Sequence, residues 1–195
     1  MTMTVTARLR NQSTRYSGDV SEGRQPVDPA PRSADAVDVV LDFLNSVDVE
    51  CGTDEMRDGG SWDAWIAGRP CFADLPAEGA DGVRRARPLR DYLRARALGE
   101  QATAPSPVAV DVTFGGVDGS AVLRGAGTTG RVAASVAELV LDGRWPRVKI
   151  CPADDCRWAF YDRSRNSSRQ WCSMAVCGNR AKARNHRLRA AGEVH

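Results

Sequence analysis

Of the six cysteines in this 195-residue chain, four are crowded into the last quarter. Cys151 and Cys156 bracket CPADDC, and Cys172 and Cys177 bracket CSMAVC, with 15 residues between the two pairs. Thiolates grouped as two close pairs supply two edges of a tetrahedron, the geometry zinc takes with sulfur ligands. Four sulfurs would close the shell and leave no position for water, so such a site holds structure and does no catalysis. The rival chemistry is a pair of disulfides, or cysteines spaced by chance. Disulfides fit poorly, because nothing resembles a secretory signal and only Cys51 and Cys71 lie elsewhere.

The elements that must position these thiols are legible around them. Arg147–Ile150 (RVKI) reads as a strand leading into the first knuckle. In RWAFYD the aromatic residues Trp158 and Phe160 alternate onto one strand face, and with Trp171 they are expected to build an aromatic core over the metal. Ser173 is placed to cap a helix whose stripe runs through Met174, Cys177, Ala181 and Leu188. Gly178 inside that helix costs about 1 kcal/mol relative to alanine, which close approach to the knuckle would explain. So small a module buries too little apolar area to fold unaided, and zinc would supply much of its folding free energy.

Cations surround the cysteines. Arg180, Arg184 and Arg187 recur on one side of the last helix, with Lys182, His186 and Arg189 opposite, and the loop between the knuckles adds Arg163, Arg165, Asn166 and Arg169. Arginine forks and small hydroxyls suit phosphate oxygens and, for arginine, guanine edges. Residues 144–195 carry 12 Arg/Lys against 4 Asp/Glu, a balance of +8, whereas residues 1–143 carry 15 against 21, a balance of −6. A basic module on an acidic body is the electrostatic footprint of nucleic-acid contact. A solvated basic face, or a face that docks on the acidic domain of a neighbour, are the other readings. His186 as a metal ligand competes with four cysteines already present.

The run CPADDCRWAFYDRSRNSSRQWCSMAVCGNRAKARNHR resembles the CGNR zinc finger, named for the tetrapeptide found here at Cys177–Arg180. The similarity is dense over about residues 146–190. In that family the finger follows an N-terminal domain called ABATE, and such proteins are regarded as bacterial stress-induced transcription regulators. LDFLNSVD at Leu41–Asp48 is similar to the opening of that domain, while Cys51–Gly82 departs from it. The resemblance implies one structural zinc held by Cys151, Cys156, Cys172 and Cys177, double-stranded DNA as partner, and a sensing or dimerising N-terminal domain. It leaves room for a small-molecule effector and for a homodimer. The second reading is a zinc-stabilised adaptor for protein or RNA without sequence-specific DNA binding.

Upstream, residues 1–33 are rich in Ser, Thr, Gly, Arg and Pro and read as a disordered arm. Ser33 or Asp35 caps a helix with Val37, Val40, Leu41 and Leu44 inward. Trp62, Trp65 and Ile66 form a short amphipathic turn after a Gly-rich loop, lining either a ligand pocket or the core. The clearest helix spans Asp81–Gly99, with Val83, Leu89, Tyr92, Leu93 and Ala97 on one side and arginines on the other. Pro88 would move its start to residues 87–89. VAVDVTF and SAVLR flanking GGVDG read as a hairpin, and Thr129–Leu141 as a further helix ended by Asp142-Gly143.

The expected fold class is therefore α+β and helix-dominated. An arm (1–33) precedes a small helical domain with one hairpin (34–143) and a zinc-finger module (146–192) of two knuckles, short strands and a basic helix. No Gly-rich phosphate loop, nucleophile elbow or HExxH is present, and both histidines lie outside the helical domain. The expectation is a non-enzyme. Asn45 and Asp48, in the opening segment of that domain, are candidate ligand contacts, with helix capping as the alternative for Asn45. Cys51 and Cys71 are isolated thiols of the kind that is usually inert. No apolar run approaches the roughly 20 residues of a membrane span, so the expected location is the cytoplasm, at the nucleoid when bound to DNA.

Overall fold

The computed structural model describes residues 35–114 and 121–192, which belong to one compact unit. The expected arm and the GGVDG turn lie outside those residues. The fold is α+β and helix-dominated: among the described residues, five α-helices accompany three separate two-stranded antiparallel sheets. No helix among them is long and apolar enough to cross a membrane.

Helix α1 (Ala36–Leu44) begins at Asp35, whose carboxylate accepts from the Val37 amide and satisfies one of the orphan donors of a helix start. It packs chiefly on α4 (Gly127–Leu141), and Val37, Val40, Phe43 and Leu44 are buried between them and their neighbours. Leu41 is only half-buried. Helix α4 starts two residues before the expected Thr129. Its backbone there passes so close to Gly125 that a Cβ on Gly125 would stand 2.2 Å from the Gly130 carbonyl oxygen. Val132 and Leu139 point inward, and Val140 is 55 % exposed.

The tryptophan segment is a full helix, α2 (Gly59–Ala67), capped by Asp58 onto the Ser61 amide. Trp62 and Trp65 stack at 4.8 Å and are almost wholly buried, so they are core. Helix α2 packs on α3 (Gly79–Leu98), which runs straight through Pro88 instead of starting there. Burial of Ala86, Leu89 and Leu93 on both sides of the proline offsets the lost backbone hydrogen bond, a cost of about 3 kcal/mol in an exposed helix. Nor are all its arginines outward. Arg90 is 3 % exposed and grips Asp54 with two hydrogen bonds of 2.6 and 3.0 Å. Asp54 ends a small ladder that the sequence did not announce: β1 (Val47–Asp48) paired with β2 (Thr53–Asp54).

The expected hairpin is β3 (Asp111–Phe114) against β4 (Ala121–Arg124), in register Asp111↔Arg124 to Phe114↔Ala121. The last sheet matters most for function. Strands β5 (Val148–Ile150) and β6 (Ala159–Tyr161) pair with Ile150 opposite Ala159. Because side chains alternate along a strand, the ribbon has two faces. Val148, Ile150 and Ala159 enter the core formed by the helices, while Phe160 enters a second cluster with Cys151, Cys156 and Cys177. Across the boundary drawn between residues 143 and 146 the core is therefore continuous. Asn45, Arg94 and β5–β6 all lie on this join.

Candidate metal centre

The first knuckle leaves β5 at Cys151, whose amide donates to the Trp158 carbonyl and continues the β5–β6 ladder by one rung. The chain then turns back: the Cys156 and Arg157 amides both donate to the Ala153 carbonyl at 3.0 Å, and Arg157 takes a left-handed conformation with φ 53°. Ser173 opens the second knuckle and accepts from the Val176 amide, as expected of a cap. What it caps is a π-helical turn, Met174–Gly178, that passes into α5 (Asn179–Gly192). The wider turn carries Cys177 inward to 2 % exposure.

The Sγ atoms of Cys151, Cys156, Cys172 and Cys177 all lie within 4.8 Å of one another. Cys172 approaches Cys156 at 3.5 Å and Cys177 at 3.6 Å. A disulfide needs about 2.05 Å, and the four thiols are free. Sulfurs around zinc at about 2.3 Å stand about 3.8 Å apart at the corners of a tetrahedron, so the cluster fits one zinc ion. Three of the four thiols are buried, and Phe160 and Ala153 shield the group. Burial drives Cys172 well above its ordinary range, with the sulfurs of Cys156, Cys177 and Cys151 adding to the effect. It also pushes the Cys177 thiol up to about 11, where Cys156 and Cys151 add to the rise and Cys172 opposes it. Cys151 moves the other way: burial opposes, but the amides of Cys172 and Ala153 outweigh it. Zinc, by binding thiolates, would expel the remaining protons.

A layer of polar groups braces this cluster, and sequence reasoning missed its centre. Asp162 is fully buried and accepts from Lys149 Nζ at 2.6 Å and from the Ser164 and Arg169 amides at 2.9 and 2.8 Å. Burial alone would raise its pKa. The Lys149 ammonium and those donors win, and hold it well below the carboxylate range. Lys149 also donates to the carbonyls of Ser167 and Arg169, so it closes the loop between the knuckles. A signal was present: Lys149 is one of two lysines in an arginine-rich chain, and Asp162 is the sole acid between Asp155 and Glu193.

The cations assigned to nucleic acid divide into two groups. Arg169 donates to the carbonyls of Trp171 and Cys172, and its guanidinium lies 4.9 Å over the Phe160 ring. Arg180 pairs with Glu50 and Asp155. Both are engaged within the fold. Arg163, Arg165, Asn166, Lys182, Arg184 and Arg187 are exposed, and none of the five cations in this group makes an ion pair among the described residues. His186 is exposed and stands outside the metal cluster. Trp158 is 41 % exposed and takes no place in the small core, and Met174 and Leu188, at 52 % and 66 %, leave the proposed stripe to Cys177 and the half-buried Ala181.

The two upstream candidates, Asn45 and Asp48, each make hydrogen bonds within the fold. Asn45 ends α1, and its side chain pairs with β6 on both sides of one residue: Nδ2 donates to the Ala159 carbonyl at 3.0 Å, and the Ala159 amide donates to Oδ1 at 2.7 Å. One donor and one acceptor of its amide are thereby engaged within the fold. Asp48 Oδ1 accepts from the Cys51 amide and shapes the β1–β2 turn. Beside Asn45, Arg94 bridges the Leu44 and Arg157 carbonyls at 2.6 and 2.8 Å, so α1, α3 and the first knuckle are stitched together. Cys71 donates to Asp42, and burial followed by that carboxylate pushes its thiol up to about 12, away from the thiolate form that reacts.

A search of curated proteins finds no match to the chain. Over residues 147–190, which hold the two β5–β6 strands, both knuckles and most of α5, the chain matches the family model of the CGNR zinc finger, and the four cysteines within that segment fit one structural zinc ion.

Proposed function

We propose that this chain is a zinc-containing DNA-binding regulator of transcription in bacteria. In this reading the finger contacts double-stranded DNA, and the helical domain, an ABATE-like domain, senses a ligand or dimerises. The protein binds and does no catalysis of its own. The observation that carries the reading is the run from Arg163 to Gly192, which contains no Asp or Glu and whose Arg163, Arg165, Lys182, Arg184, Arg187 and Arg189 are exposed on the module that holds the four thiols. Cations gathered on one module release counterions from DNA, and that release dominates affinity. Acidic residues concentrated upstream of residue 144 disfavour binding through the helical face.

The reading is tested with zinc-loaded full-length protein and labelled duplex DNA by fluorescence anisotropy at several salt concentrations, followed by selection from a random duplex pool. A steep fall of affinity with salt and an enriched sequence are expected. Equal affinity for every duplex sequence would remove the regulator reading, and no binding at low salt would remove the DNA reading altogether. The adaptor for protein or RNA is favoured by one feature, the exposed apolar side chains of Met174, Val176 and Leu188 on the same module.

A further inference from the structure

Helix α5 leaves the metal centre with little to lean on. From Lys182 to Arg189 every residue is exposed, so packing does not set the direction in which the helix projects. One side chain in its first turn does reach the rest of the molecule. Arg180 Nη2 donates to Glu50 Oε1 at 2.9 Å, and Nη1 meets Asp155 Oδ2 at 3.4 Å. Glu50 lies in the β1–β2 turn of the helical domain and Asp155 in the first knuckle. Three segments far apart in sequence thus meet on one guanidinium.

Those contacts also define which way the helix is rotated. Residues spaced by three, four and seven share a helical face. Arg184 and Arg187 therefore lie on the side of Arg180, which is turned towards the two carboxylates. Lys182, Asn185, His186 and Arg189 share the other side, away from Glu50 and Asp155. A phosphate approaching Arg180 would meet two negative charges; one approaching Lys182 or Arg189 would not.

We infer that Arg180 is a positioning residue that aims α5, and that the face of α5 that meets double-stranded DNA is formed by Lys182, Asn185, His186 and Arg189. The inference rests on the DNA-binding reading for its second half only. A helix about 10–12 Å across, exposed on all sides, has the dimensions of the major groove. Aiming it in advance removes an ordering cost at the moment of binding.

The test uses zinc-loaded full-length protein and duplex DNA, with the salt dependence of affinity measured for each variant. The double variant Lys182→Ala with Arg189→Ala should lower the slope of log affinity against log salt by about 1.8, that is about 0.9 for each lost phosphate contact. Arg180→Gln should leave the slope unchanged and weaken binding by about 2- to 5-fold, the scale of an exposed ion pair. Glu50→Gln should weaken it in the same range, and Arg180→Lys should restore most of the loss. If Glu50→Gln tightens binding while Arg180→Gln lowers the slope by about 0.9, Arg180 is a phosphate contact held back by acids, and the inference is overturned. If the wild-type protein binds no duplex, the DNA-facing half falls. Amide hydrogen exchange then decides the other half without DNA: faster exchange over residues 179–184 in Glu50→Gln upholds the aiming role, and unchanged exchange rejects it.

Discussion

The helical body and the metal module bury their interiors by different means. The body is filled with Phe43, Trp62, Phe72, Met56 and Ile66, each almost fully removed from water. The module has Phe160, Ala153 and four thiols, and little else. The first is held by apolar area, at about 25 cal/mol per Å² buried. The second is held by coordination, worth about 10–16 kcal/mol of apparent binding free energy in small zinc modules. The difference teaches where each region is vulnerable. Substitutions that leave a void damage the body, and anything that takes the metal damages the module. Because β5–β6 has one face in each, damage on either side is transmitted.

The largest effect expected is that of the metal. Purified protein should contain about one zinc per chain, and Cys172→Ser should contain none and bind a dye for exposed apolar surface. Zinc retained in that variant would break the comparison, since the module would then have another source of order. Next comes the body's own anchor. Trp62→Ala should cost about 3–5 kcal/mol in urea unfolding at saturating zinc, whereas Trp62→Phe should cost much less than its size suggests. Trp62 Nε1 is buried with no hydrogen-bond partner among the described residues, and phenylalanine removes that unsatisfied donor.

The seam is third. Asn45→Ala leaves the Ala159 amide and carbonyl without their partner and should cost about 1–3 kcal/mol. It should also weaken zinc binding, although Asn45 touches no metal ligand. Loss of stability with unchanged zinc affinity would show that the two regions are independent after all.

The fourth prediction concerns acid. The folded pKa of Asp162 lies below its unfolded value of about 3.9. Its contribution is thus fully present above that pH and is lost as pH falls through and below it. The melting temperature of the zinc-loaded wild type should therefore exceed that of zinc-loaded Asp162→Asn by an amount that stays constant from neutrality down to about pH 5, the range in which the thiolates keep their metal. The smallest effect is expected at Gly178→Ala. A Cβ there meets the side chain of Met174, half-exposed and flexible, which can swing aside, so the change in stability should stay within about 0.5 kcal/mol.

What the sequence disclosed is what local chemistry and short spacing encode. Paired cysteines, the Asp35 cap, the hairpin strands of residues 111–124 and the 3.6-residue period of α1, α3 and α4 all act within a few residues. What it withheld depends on partners far along the chain. Asn45 is 114 residues from Ala159, Arg180 is 130 from Glu50, and Arg90 is 36 from Asp54. An arginine that neutralises a distant carboxylate has the same letter as one that waits for a phosphate. Only the fold separates Arg169 and Arg180 from Lys182 and Arg189. Pro88 misled for a related reason, because a local penalty was set against burial on both sides that no local pattern displays.

The two-faced ribbon β5–β6 has one more consequence, for transplantation. A zinc finger is ordinarily imagined as a cassette that can be cut out and joined to another protein. Cut at residue 147, this one would carry Val148, Ile150 and Ala159 into water as a sticky stripe, and would lose the Asn45 and Arg94 bonds that cover its backbone. A recipient could accept it only by offering a groove shaped like the end of α1 and the flank of α3. The unit that would keep its fold on transfer is the finger together with its seat.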